Sequence, residues 1–135
     1  MREFRYTLPR ALGTLHPTAD AADDVIAAET AVHGVYEAHI AEVFAATVRS
    51  TDRCLDVGAN TGLHTALLAA VAKLGKVVAF EPDPRNLPYL RENLKRCSAA
   101  DVTVVEAAVD AEAGSGRLQP QLPHPPPTPQ PPGGA

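Results

Sequence analysis

The chain has no tryptophan, and only three tyrosines, three phenylalanines, one methionine and two cysteines among 135 residues. Two thiols, Cys54 and Cys97, without C-x-x-C spacing supply no disulfide framework and fit a reducing compartment. No apolar run approaches the roughly 18–20 residues that span a bilayer. The first ten residues carry Arg2, Arg5, Arg10 and Pro9, and lack the apolar stretch and small-residue cleavage site of a secretory signal. These absences predict a cytoplasmic protein with no membrane partner. The net charge of −4 lacks the positive surplus that would make nucleic acid the main electrostatic partner. His16, His33, His39, His64 and His124 lack metal-ligand spacing, and Ser50, Ser98 and Ser115 lack a nucleophile-elbow context, so no metal site is expected.

What is present is the composition of one globular domain, 45% hydrophobic and 21% charged. Met1 to Pro17, with Pro9 and Gly13, has little periodicity and reads as an irregular arm. Asp20 to Thr30 is Ala-rich and acidic early, and Val25, Ile26, Glu29, Val32 and Tyr36 give a loose helical stripe, which Gly34 interrupts. Val35 to Val48 repeats the pattern with Ile40, Val43, Phe44 and Val48 on one face. Three short apolar runs follow, Arg53 to Val57, Lys76 to Phe80 and Val102 to Val105, each of a length suited to a buried strand. Between them lie helical stretches, Leu63 to Leu74 with Gly75 as its C-cap, and Leu87 to Cys97. Pro88 then falls in the tolerated first turn of the second helix. Strand, helix, strand, helix, strand is the βαβαβ order of a parallel α/β sheet.

After Arg117 the character changes. Residues 118–135 hold eight of the thirteen prolines, and proline fixes φ and lacks an N–H, so a disordered or polyproline tail is expected. The expected organisation is an arm with helices over 1–50, an α/β half-domain over 51–117 and a proline-rich tail over 118–135.

The stretch that carries chemistry is Asp56-Val57-Gly58-Ala59-Asn60-Thr61-Gly62, which follows a strand and opens a helix. Gly58 permits the turn off the strand, and Gly62 permits close approach of the cofactor or the following helix. An acid at the strand end, two residues before the first glycine, opposes a pyrophosphate. The third glycine of the dinucleotide fingerprint is also missing. Asp56 suits instead a cofactor with a cationic end and no phosphate, and S-adenosylmethionine has both an ammonium and a sulfonium. Glu81 closes the second strand 19 residues after Gly62, the spacing of an acid that accepts ribose hydroxyls. Pro82 turns the chain behind it.

Asp56 to Gly62, followed by Phe80-Glu81-Pro82-Asp83-Pro84, by Leu90 to Leu94 with Asn93, and by Ala107-Ala108-Val109-Asp110, closely resembles the FkbM-type S-adenosylmethionine-dependent methyltransferases. The resemblance covers about Asp52 to Leu118. It implies a partial Rossmann-like class I methyltransferase fold, with S-adenosylmethionine as cofactor and O-methyl transfer to a small-molecule or sugar-like hydroxyl. It also implies cofactor contacts from Asp56, Gly58, Ala59, Asn60, Gly62, Glu81 and Pro82, with Asp83, Glu106 and Ala107 near the adenine. The family's fourth-strand segment, with an Asp and a Glu-Gly pair near the substrate, is absent where this chain turns proline-rich. No catalytic residue can therefore be assigned, and the first strand is expected at a sheet edge. The alternative expectation is a truncated, non-catalytic fragment that retains part of the cofactor site.

Overall fold

The computed structural model describes residues 2–3, 5–16, 18–19, 30, 34–97 and 101–119. The helical stripe expected over Asp20–Thr30, apart from Thr30, and the proline-rich tail beyond residue 119 lie outside the described residues.

The arm is not irregular. β1 (Arg2–Glu3) pairs antiparallel with β4 (Thr18–Ala19), and β2 (Tyr6–Thr7) with β3 (Thr14–Leu15), around a 3₁₀ turn at Pro9–Ala11. Two-residue ladders leave no alternation in sequence, so nothing local announces them. What holds the arm is tertiary: Tyr6 and Leu8 are buried against Ala41 and Leu67.

Helix α1 (Ala38–Thr47) follows a break at Gly34, whose N–H donates to the Thr30 carbonyl at 2.8 Å and whose φ is +71°. That is the left-handed ending a glycine supplies most cheaply. β5 (Arg53–Val57), α2 (Leu63–Val71), β6 (Lys76–Phe80), α3 (Leu87–Arg96) and β7 (Val102–Val105) complete the chain order. All three strands occupy the ranges expected from their apolar runs. They form one parallel sheet in the order β5-β6-β7, with Leu55 opposite Val78 and Val78 opposite Thr103.

Gly75 has a different role from the expected C-cap. Helix α2 ends earlier, at Ala72, whose N–H donates to the Leu68 carbonyl at 2.7 Å. Gly75 instead lies against the Asp52 carbonyl, where any Cβ would collide with backbone. The glycine lets the start of β6 pass close to the entry of β5.

One face of the sheet carries Cys54, Asp56, Val77, Ala79, Val102 and Val104. Leu87, Leu90 and Leu94 of α3 pack on Ala79, Ala59 and the two valines of β7. The spacing i, i+3, i+7 sets these leucines on one stripe. α2 lies beside α3, and α1 packs on α2. The opposite face holds Leu55, 69% exposed, and Val57, 58% exposed, beside half-buried Val78, Phe80 and Val105. All the described helices therefore sit on one side, and β5 is an edge strand.

One buried side chain ties these layers together. Asn93, fully buried on α3, accepts from the Thr18 N–H at 2.5 Å and the Thr18 hydroxyl at 3.1 Å. Its amide donates to the Thr18 carbonyl at 3.0 Å and the Thr61 carbonyl at 2.7 Å. Arm, loop and helix meet at this one residue.

Candidate cofactor site

The loop after β5 is shaped by its backbone. The Gly58 and Ala59 N–H groups both donate to the Phe80 carbonyl, at 2.9 and 3.0 Å, so the loop starts pinned to the end of β6. Gly58 has φ +82° and open space where a Cβ would stand. Asn60 takes φ +50°, and Gly62, the residue before α2, takes +87°. A Cβ at Gly62 would come within 2.5 Å of Leu90 Cδ1. Gly62 thus serves the close approach of α3, a helix further along the chain than the one that directly follows the loop.

A cavity of about 170 Å³ opens at this loop, lined by Tyr36, Glu37, Asp56, Gly58, Ala59, Asn60, Thr61, Leu63 and His64. Of the residues singled out in sequence, Asp56, Gly58, Ala59 and Asn60 line it. Gly62, Glu81 and Pro82 do not. The Asp56 carboxylate is fixed by the Thr65 hydroxyl, which donates to Oδ2 at 2.5 Å. Thr65 is buried one turn into α2, so the helix itself orients the acid.

Glu81 is 4% exposed and turns inward. Its Oε2 accepts from the Asn60 N–H at 2.7 Å, and its Oε1 accepts from the Asp83 N–H at 2.8 Å and the Asn86 amide at 3.3 Å. The carboxylate bridges the β5 loop to the β6 loop, and three of its roughly four lone-pair positions are taken. Of the residues expected near an adenine, Asp83 and Glu106 each pair with an arginine of this chain. Asp83 is chelated by Arg85, whose Nη2 lies 2.6 Å from Oδ2, and this bond holds the Asp83 carboxyl below its ordinary value. Glu106 pairs with Arg91 across the surface.

Five lining residues were not assigned to the site: Thr61 and Leu63 at the loop and helix start, and Tyr36, Glu37 and His64. Tyr36 and Glu37 precede α1, and His64 is the second residue of α2. His64 stacks between Tyr36 and Phe44, with ring centroids 5.6 Å away in each case, and its Nε2 lies 3.5 Å from Glu37 Oε2. The loose helical stripe that ends at Tyr36 was the available signal for that residue. Nothing in sequence marks Glu37, which reaches the loop only through the fold. Both cysteines are pushed up by burial, Cys97 to about 11, so their thiols stay protonated and unreactive at neutral pH.

The arrangement fits the cationic end of S-adenosylmethionine. Two carboxylates, Asp56 and Glu37, share a cavity with no lysine or arginine among its lining residues. Ligand pockets for whole drug-sized molecules run to about 300–1,000 Å³, so this cavity matches part of such a cofactor.

The model of the protein-L-isoaspartate(D-aspartate) O-methyltransferase family matches residues 9–120, most of the chain. No curated protein matches. Among solved structures, a precorrin-6y C5,15-methyltransferase from Geobacter metallireducens is 21% identical, with a TM-score of 0.52, over 67% of this chain and 44% of that one. A transferase from Pyrococcus horikoshii is 16% identical, with a TM-score of 0.56, over 78% of this chain and 36% of that one. These likenesses show the fold, and the chain spans less than half the length of either structure. The Rossmann-like sheet and the matched family agree with the cofactor expected from Asp56. The chain belongs to the protein-L-isoaspartate(D-aspartate) O-methyltransferase family, whose members are S-adenosylmethionine-dependent methyltransferases.

Proposed function

We propose that this chain forms the cofactor-binding part of an O-methyltransferase, acting on a small-molecule or sugar-like hydroxyl as FkbM-type enzymes do. The observation that carries the cofactor half of this reading is the cavity with two carboxylates at a left-handed glycine loop. The hydroxyl acceptor rests on the Asp56-to-Gly62 and Phe80-Glu81-Pro82 strings, read together. Asp56, Gly58, Ala59 and Asn60 hold the methionine end in this reading. Glu81 serves the ribose once its carboxylate gives up one of its present partners, and Pro82 lies toward the adenine. Gly62 acts indirectly, by letting α3 close behind the loop.

A second reading of the acceptor is favoured by the matched family, whose name specifies isoaspartyl and D-aspartyl carboxyl groups in proteins. A carboxylate acceptor is already ionised and needs no general base. None of the described residues is assigned as one, and methyl transfer to a hydroxyl would need such a group from elsewhere.

Titration calorimetry with S-adenosylmethionine and with NAD tests the cofactor, and S-adenosylmethionine should bind more tightly. Better binding of NAD defeats the assignment. Radiolabelled methyl transfer to an isoaspartyl peptide and to a panel of small hydroxyl acceptors then separates the two acceptor readings.

A further inference from the structure

The cavity contains an acid that the glycine-loop motif does not supply. Glu37 lies before α1, nineteen residues ahead of Asp56, yet lines the same cavity as Asp56, Gly58 and Asn60. Its backbone is left-handed, with φ +46°. Three described residues other than glycine have positive φ, and two of them, Glu37 and Asn60, line this cavity. The Glu37 carbonyl accepts from the Ile40 and Ala41 N–H groups at 2.9 and 3.1 Å, while its side chain makes no cap to the helix. The backbone thus starts α1 and leaves the carboxylate for the cavity.

The groups packed around that carboxylate are few. His64 Nε2 stands 3.5 Å away, is buried and has no hydrogen-bond partner among the described residues. Buried Tyr6 feels the Glu37 charge, and its own hydroxyl is likewise unpartnered among the described residues. Among the described residues, no lysine or arginine lines the cavity to neutralise Asp56 and Glu37 together. Two carboxylates lining one small cavity favour a cation between them.

We propose that Glu37 is the second anionic ligand of the cofactor's methionine end, sharing its ammonium with Asp56. His64, packed between Tyr36 and Phe44, forms the cavity wall beside the Glu37 carboxylate. The first-turn N–H groups of α2, beside Leu63 and His64 on the same cavity wall, serve the ligand's carboxylate. This subsite rests on the S-adenosylmethionine reading above and extends it to a residue outside the glycine loop.

Two adenosyl ligands separate the subsite from the rest of the site. S-adenosylhomocysteine carries the amino-acid end, and 5′-methylthioadenosine lacks it. In titrations of the full chain, wild type should prefer S-adenosylhomocysteine. Glu37→Gln should weaken S-adenosylhomocysteine roughly tenfold or more, the loss expected for a hydrogen bond to a charged group, and leave 5′-methylthioadenosine unchanged. Glu37→Asp, which keeps the charge, should recover part of the loss and guards against a Gln variant that fails to fold. Equal weakening of both ligands, or no preference in the wild type, overturns the Glu37 subsite while leaving the cofactor reading intact. Wild type that binds neither ligand overturns the cofactor reading, and the subsite with it.

Discussion

The Asn60 N–H donates to Glu81 Oε2 at 2.7 Å, joining the loop after the first sheet strand to the residue that closes the second. Asn60 sits at φ +50°, a conformation that costs an L-residue about 1 kcal/mol or more, and this bond helps to hold it there. Glu81 is thus a structural acceptor as well as a candidate ribose ligand.

Glu81→Gln should therefore destabilise the chain even without ligand. An amide presents one NH₂ toward backbone N–H groups that now meet carboxylate oxygens. The expected loss is about 1–3 kcal/mol, read by urea denaturation of the ligand-free protein. A side chain reserved for ribose would leave that denaturation curve unmoved.

Asn93 predicts a larger effect. Its four bonds satisfy the Thr18 N–H, hydroxyl and carbonyl and the Thr61 carbonyl in a site that water does not reach. Asn93→Ala strands several buried polar groups at about 1–3 kcal/mol each. We expect a loss of about 3–5 kcal/mol, with Thr18→Ala costing distinctly less. Equal and small losses for both variants would show that the network does not hold the arm.

The three loop glycines rank by what a methyl group would meet. At Gly58 the space is open and only the left-handed φ opposes alanine, at about 1 kcal/mol. At Gly62 the same backbone penalty is joined by Leu90 Cδ1, the end of a side chain that can move. At Gly75 the obstacle is the Asp52 carbonyl, which cannot. Thermal melts of the three alanine variants should order Gly75→Ala as the most damaging and Gly58→Ala as the least. A Gly75→Ala melt near wild type contradicts the close approach of the two strands.

The strands were legible because each is a short apolar run set off by the neighbouring helical stretches, although β5 is not buried as expected and leaves Leu55 and Val57 exposed at the edge. Asp56 to Asn60 was legible as a candidate site for a local reason: strand, turn and helix start are contiguous. Gly75 was misread because a glycine after a helix looks the same whether it caps the helix or clears a neighbouring carbonyl. Glu37 was invisible, since a lone acid before a helix acquires its role only when the arm, α1 and α2 pack together. Glu81 was found by spacing, but its inward bonds to Asn60 and Asp83 depend on how the two loops lean on each other.

Tyr6 gives a prediction at alkaline pH. Its hydroxyl is buried and has no partner among the described residues, and burial, reinforced by Glu37, raises it from 10.0 to about 12. The unfolded chain loses this proton first, so it binds fewer protons than the folded chain between those two values. Stability is unaffected by Tyr6 below pH 10 and falls as pH rises from about 10 to 12. Tyr6→Phe should remove this component of the alkaline loss. It should also cost nothing at neutral pH, because it deletes an unsatisfied buried hydroxyl while keeping the ring against Leu67. Alkaline melts that coincide for the two proteins would rule out Tyr6 as the titrating group.

The edge of the sheet leads to the last prediction. Leu55 and Val57 point to the face opposite the helices, and on that face they continue into Val78, Phe80 and Val105 through the strand register. Among the described residues β5 has a partner on one side only, β6, so its outer N–H and C=O groups stand beside an apolar surface. An edge of this kind, hydrophobic and without a covering layer among the described residues, is a template for association. The isolated chain should therefore sediment as a mixture that grows heavier with concentration. Leu55→Lys and Val57→Lys together should return it to a monomer, because charges on an edge strand oppose further pairing. Both side chains are already exposed, so the double variant should change the folding free energy by only about 0.5 kcal/mol per site. The helical face and its cavity should be untouched, and affinity for S-adenosylhomocysteine should match wild type. A wild-type chain that stays monomeric at high concentration would mean that this face is covered, and the argument from the edge would fail.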